Sequence, residues 1–172
     1  MSDDVPEFDR KKAKMAKLEI KPIQFDQQTL AYYQKVFPAN IKKGALWQTS
    51  PNTKENIYCW LMEASSHPKK VIFSIFYDNR LRGHVGLSEI DKVARTGRIG
   101  LCLDSLTYGN GVAARAIKYL INYARGTLDL RIIMVESAEE GVESNDPRLM
   151  RVFGSLGFVI SPDLRHQWLH LD

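Results

Sequence analysis

A chain of 172 residues that is 44% hydrophobic and 26% charged holds enough material for one domain with an ordinary core and requires no second one. Its net charge of +4 sits in short groups such as Arg10–Lys12, Lys42–Lys43 and Lys69–Lys70. No dense basic stripe interleaved with aromatics is present, so nucleic acid is not expected as a partner.

Cys59 and Cys102 are too few for a disulfide framework or a zinc site, and no metal is expected. No apolar run reaches the length of a membrane span, and Asp3, Asp4 and Glu7 precede any apolar stretch where a signal peptide would be basic. The expectation is a cytoplasmic protein without membrane contact.

Residues 1–17 read as a charged leader, and a single domain is expected over 18–172. Leu18–Ile23 alternates as a strand, and Asp26 suits the N-cap of a helix from Gln27 to Phe37 that Pro38 should stop. A second helix opens near Thr53 and carries Ile57, Trp60, Leu61 and Ala64 at helical spacing. Val71–Tyr77, the turn Asp78–Asn79 and Arg82–Ile90 read as a hairpin. After the turn Arg95–Thr96–Gly97 comes a third antiparallel strand, Arg98–Leu103.

The stretch from Leu103 to Tyr123 is the most informative in the chain: an apolar strand end, the turn Tyr108–Gly109–Asn110–Gly111, then an amphipathic helix from Val112 to Arg125. Glycines let such a turn gather backbone N–H groups at one point, which the positive end of the helix also faces. An anionic cofactor suits it; taken alone, the segment equally fits a strand-to-helix turn that binds nothing. Leu130–Val135 follows as a strand that the helix can place parallel to the one before it. A last helix, Pro147–Ser155, ends at Gly157, and the chain returns in extended form over Phe158–Ile160 and Gln167–Leu171.

Three passages in this order, Gly83–His84–Val85–Gly86–Leu87, Tyr108–Gly109–Asn110–Gly111–Val112–Ala113 and Leu156–Gly157–Phe158, resemble the GNAT acyltransferase superfamily over Leu18 to Leu171. The nearest branch is the one that acetylates ribosomal-protein N-termini. The resemblance implies an α/β fold: a mixed, mostly antiparallel central sheet with a splayed cleft, flanked by helices. It implies acetyl-CoA or another acyl-CoA as co-substrate, with pantetheine along the strand at Leu101 and Leu103 and pyrophosphate at the turn. There the family pattern R/Q-x-x-G-x-G/A falls on Tyr108, Gly109, Asn110, Gly111, Val112 and Ala113, with Ala114 next and Arg115 either supplying a charge or facing solvent. Tyr108 departs from the Arg or Gln of that pattern.

Acyl transfer from a thioester needs a free amine, a polarised carbonyl and a proton for the thiolate. The family often uses a strand Glu as base, for which Glu136 and Glu89 are the candidates, and a Tyr of the last helix as acid, whose position falls on Phe153. A frequent strand carboxylate falls on Arg98, and a loop Asn on Asn145 or Asp146. Ser137 either binds substrate or is an ordinary strand-end serine. His84 is either a substrate-site group or a hydrogen-bonded structural histidine. Trp47, after the loop Lys42–Lys43–Gly44, is placed at the substrate entrance. The expected acceptor is a small amine or a protein N-terminus; the alternative, raised by the departures at Tyr108, Arg98 and Phe153, is a degenerate member that only binds.

Overall fold

The computed structural model describes residues 16–40, 54–136, 147–160 and 166–172. Strand β1 (Leu18–Pro22) leads to helices α1 (Gln27–Asn40) and α2 (Lys54–Ser66), followed by β2 (Val71–Tyr77), β3 (Arg80–Asp91) and β4 (Thr96–Leu103). Helix α3 (Val112–Gly126), β5 (Ile132–Glu136), α4 (Pro147–Ser155), β6 (Val159–Ile160) and β7 (His166–His170) complete the chain. The described strands form one seven-stranded sheet in the order β1-β2-β3-β4-β5-β7-β6. Only the β4–β5 pair is parallel, because α3 carries the chain back over the sheet between them.

Local chemistry explains the hairpin of β2 and β3. Asp78 and Asn79 both take left-handed conformations, φ 52° and 62°, as a two-residue hairpin turn requires. The glycine of Gly83–His84–Val85 has a different purpose: at φ 144°, a Cβ there would stand 1.9 Å from the carbonyl oxygen of Cys102 on β4. Only glycine lets these two strands close.

Alternation along β4 divides the interior into two cores. Ile99, Leu101 and Leu103 join Val85, Leu87, Phe153 and the buried face of α3, namely Val112, Ala116, Ile117, Leu120 and Ala124. Cys102 points the other way, into a second cluster with Tyr33, Ile57, Trp60 and Leu61 of α1 and α2. Period-two strands and a helix with a broad apolar face make this layering the way to bury both sides.

Several expected boundaries shift. Strand β3 spans Arg80–Asp91 rather than Arg82–Ile90, and β4 starts at Thr96 rather than Arg98. The turn between them is tightened by Asp91, whose Oδ1 accepts the N–H groups of Val93 and Ala94 at 2.8 Å each. Helix α1 extends to Asn40, so Pro38 lies in its last turn, where it removes one backbone hydrogen bond and little helix follows. Leu130 precedes β5 because its N–H closes the end of α3 on the carbonyl of Ala124 at 3.0 Å. The expected leader falls almost wholly outside the described residues.

Candidate cofactor cleft and acceptor site

Pairing between β4 and β5 covers Thr96↔Ile132, Gly97↔Ile133 and Arg98↔Met134, and goes no further. Beyond it, β4 continues against β3 alone, from Leu87↔Ile99 to Gly83↔Leu103, while β5 runs on against β7 to Glu136↔His166. The two strands therefore diverge from Ile99 onward, and the edge of β4 that faces the opening offers backbone N–H and C=O groups that β5 does not take. Leu101 and Leu103 have their side chains buried in the α3 core. A ligand lying along β4 at Leu101 and Leu103 would therefore meet their backbone rather than their side chains.

The divergence leads straight into the glycine turn. Gly109 and Gly111 have φ 80° and 69°, and a Cβ at either would meet no atom of the described residues within 4 Å. Gly111 is the N-cap of α3 and supplies no side-chain acceptor, leaving the first-turn amides of the helix without a side-chain cap. Gly109, Asn110 and Gly111 are exposed, as are Tyr108 and Arg115; Ala113 and Ala114 are half-buried, and Val112 is buried and anchors the helix start. The Tyr108 hydroxyl lies 3.5 Å from the carbonyl of Leu103, a donor bent back over its own turn.

Asp104, which the sequence reading passed over, organises the approach to this turn. Its Oδ1 accepts the N–H of Leu106 at 3.0 Å, and its carbonyl accepts the N–H and Oγ1–H of Thr107 at 3.1 and 2.8 Å. Its Oδ2 lies 3.4 Å from Nη1 of Arg82 and 3.4 Å from the hydroxyl of Tyr32. The available signal was an Asp directly after a strand, a residue type that accepts hydrogen bonds from backbone N–H groups just downstream.

On the opposite face, His84 is not at the cleft surface. It is fully buried on β3, with Nδ1 2.8 Å from the hydroxyl of Tyr33 and its ring 5.1 Å from that of Trp60. Burial lowers its pKa from 6.5 to about 3, so the imidazole is neutral. Of the two readings of His84, this burial favours the structural one: it bonds α1 to the sheet, because the parity that points Cys102 at the helices points its register partner His84 there too.

Glu89 sits in the irregularity between Ser88 and Asp91, at φ 48°, and its carboxylate lies 3.3 Å from Nη2 of Arg98. It is 65% exposed. Glu136 is the last residue of β5, beyond the final parallel pair with β4. Phe153, on which the resemblance places the family's acid, is fully buried, edge to face with Phe158 at 5.0 Å. Trp47, Ser137, Asn145 and Asp146 lie outside the described residues.

Strands that diverge over a helix-capping glycine turn are matched by a family model: an acetyltransferase (GNAT) domain covers residues 18–163. The chain belongs to the GNAT family. Among curated proteins, the ribosomal-protein-serine acetyltransferase of Escherichia coli K12 is 27% identical over 82 residues, 48% of this chain and 46% of that protein. The chain thus matches about half the length of that relative. Among solved structures, spermidine N-acetyltransferase from Vibrio cholerae in complex with CoA and spermine aligns at TM-score 0.73 and 14% identity, covering 90% of this chain and 95% of that one. A probable acetyltransferase aligns at TM-score 0.72 and 16% identity, covering 89% and 92%. These likenesses show that the GNAT fold is shared. No helix among the described residues is long and apolar enough to cross a membrane, and none of their His, Cys, Asp and Glu side chains form a group of three suited to a metal.

Proposed function

We propose that this GNAT protein transfers an acetyl group from acetyl-CoA to a primary amine by direct attack, in the cytoplasm. The observation that carries the reading is the continuity of the β4–β5 divergence with the uncapped amides at Gly111. Membership of an acetyltransferase family supports it, as does the CoA held by the V. cholerae relative. The pyrophosphate accepts hydrogen bonds from the amides between Gly109 and Ala114, with Arg115 beside them, and the pantetheine amides pair with the free edge of β4.

The thioester then lies toward the point where β4 and β5 part, level with Arg98 and Met134. Glu136, at the end of β5, takes the proton of the acceptor ammonium, directly or through water; Glu89 is the weaker candidate because Arg98 already engages it. No covalent enzyme intermediate forms. The amine nitrogen bonds to the acetyl carbon, the carbon–sulfur bond breaks, and the proton that the nitrogen then sheds passes through water to the thiolate, since Phe153 has no proton to give. The acceptor is a small-molecule amine or a protein N-terminus; a spermidine N-acetyltransferase and a ribosomal-protein-serine acetyltransferase among the similar proteins support an amine acceptor of either size.

Calorimetry with CoA and acetyl-CoA, followed by thiol-release assays against spermidine and against peptides with free N-termini, tests this reading. Absence of cofactor binding would sink it. The second reading, a binder without catalysis, is favoured by the apolar, buried Phe153 at the acid position; acetylation of any tested amine rejects it.

A further inference from the structure

We propose that Asp104 is a positioning residue for the phosphate turn, with Arg82 as its countercharge. The proposal rests on the assignment of pyrophosphate to that turn. Asp104 occupies the junction where β4 ends, and its N–H donates to the carbonyl of Arg82 at 2.9 Å, carrying the β3–β4 ladder one residue past Gly83↔Leu103. Forward of that anchor, its carboxylate and carbonyl hold Leu106 and Thr107, and the buried Thr107 in turn accepts the N–H of Asn110 at 3.3 Å. A series of hydrogen bonds therefore runs from Arg82 on β3 to the residue between the two turn glycines.

The charge at Asp104 also calls for explanation. A carboxylate at the base of a turn that receives a polyanion opposes binding unless it is neutralised. Arg82 lies 3.4 Å away, and both side chains are mostly withdrawn from water, 17% and 16% exposed, where solvent screens the pair less than at the surface. Tyr32 of α1 adds a neutral donor to the same oxygen, its phenol held protonated by burial and by the Asp104 charge. The pair thus supplies a rigid acceptor for the turn with little net charge presented to the pyrophosphate. Neither residue touches the reacting atoms; both act through the turn.

The test is affinity for CoA and for pantetheine, which lacks the pyrophosphate, measured with melting temperature for each variant. Asp104→Ala should weaken CoA by about tenfold and leave pantetheine unchanged, whereas Asp104→Asn, which keeps the Oδ1 acceptor, should recover most of the loss. Should Asp104→Ala fail to fold, Arg82→Gln decides: it leaves the carboxylate uncompensated, so CoA affinity should fall several-fold at low salt and less at high salt. Unchanged CoA affinity in folded Asp104→Ala, equal losses of CoA and pantetheine, or an Arg82→Gln variant with wild-type CoA affinity overturns the proposal. Gly111→Ala serves as reference. If it too leaves CoA affinity intact, the phosphate assignment falls; if it weakens CoA while Asp104→Ala does not, only the positioning role falls.

Discussion

The hydroxyl of Tyr33 and Nδ1 of His84 meet at 2.8 Å in the buried layer between α1 and the sheet. Burial there depresses the imidazole from 6.5 to about 3, so the folded protein holds His84 neutral while the unfolded chain takes up a proton below about pH 6.5. The stability linked to His84 is thus fully present above pH 6.5 and is lost as pH falls toward 3. Between pH 8 and pH 5 the loss should be about 2 kcal/mol. Urea melts across this range check it, and His84→Gln, which cannot titrate, should show a flatter pH dependence.

A side chain at Gly111 should weaken acetyl-CoA without dissolving the fold. A Cβ at Gly111 would meet no atom of the described residues within 4 Å, and the φ of 69° sets the stability cost of Gly111→Val at roughly 1–3 kcal/mol. The branched side chain would occupy the approach to the amides, so affinity in calorimetry should fall by at least about tenfold. Wild-type affinity in the folded variant would remove the phosphate assignment.

Gly83 should tolerate nothing. Since a Cβ would sit 1.9 Å from the Cys102 carbonyl oxygen, Gly83→Ala must push β3 and β4 apart in the middle of the sheet. A loss above about 4 kcal/mol is expected, seen as insoluble expression or a sharply lowered melting temperature. Soluble Gly83→Ala with a wild-type melt would show that the strands pair less closely than described.

The two candidate bases separate on charge. Glu136→Gln should lower turnover by roughly two to four orders of magnitude with acetyl-CoA affinity little changed. Glu89→Gln, which removes only an exposed partner of Arg98, should stay within a few-fold of wild type. Steady-state kinetics on both variants across neutral pH decides; if both match wild type, the acceptor amine arrives deprotonated from solvent and no carboxylate base is needed.

The order of strands and helices, the Asp78–Asn79 hairpin and the glycine turn into α3 were all legible in the sequence, because each depends on periodicity or on backbone demands within a few residues. Where β4 parts from β5 was legible only through the family resemblance. The fate of individual side chains was decided by the tertiary structure alone. His84 and Tyr33 are 51 residues apart in the chain, and whether that histidine faced a cleft or a core depended on strand parity and on which helix covered that face. Asp104 drew no notice as a lone acidic residue, since its meaning comes from Arg82 and Tyr32, 22 and 72 positions away. Glu89 looked like a free strand carboxylate until the register placed Arg98 beside it. Hydrogen-bond and charge partners are chosen by which strands and helices end up adjacent, and local sequence patterns carry no record of that choice.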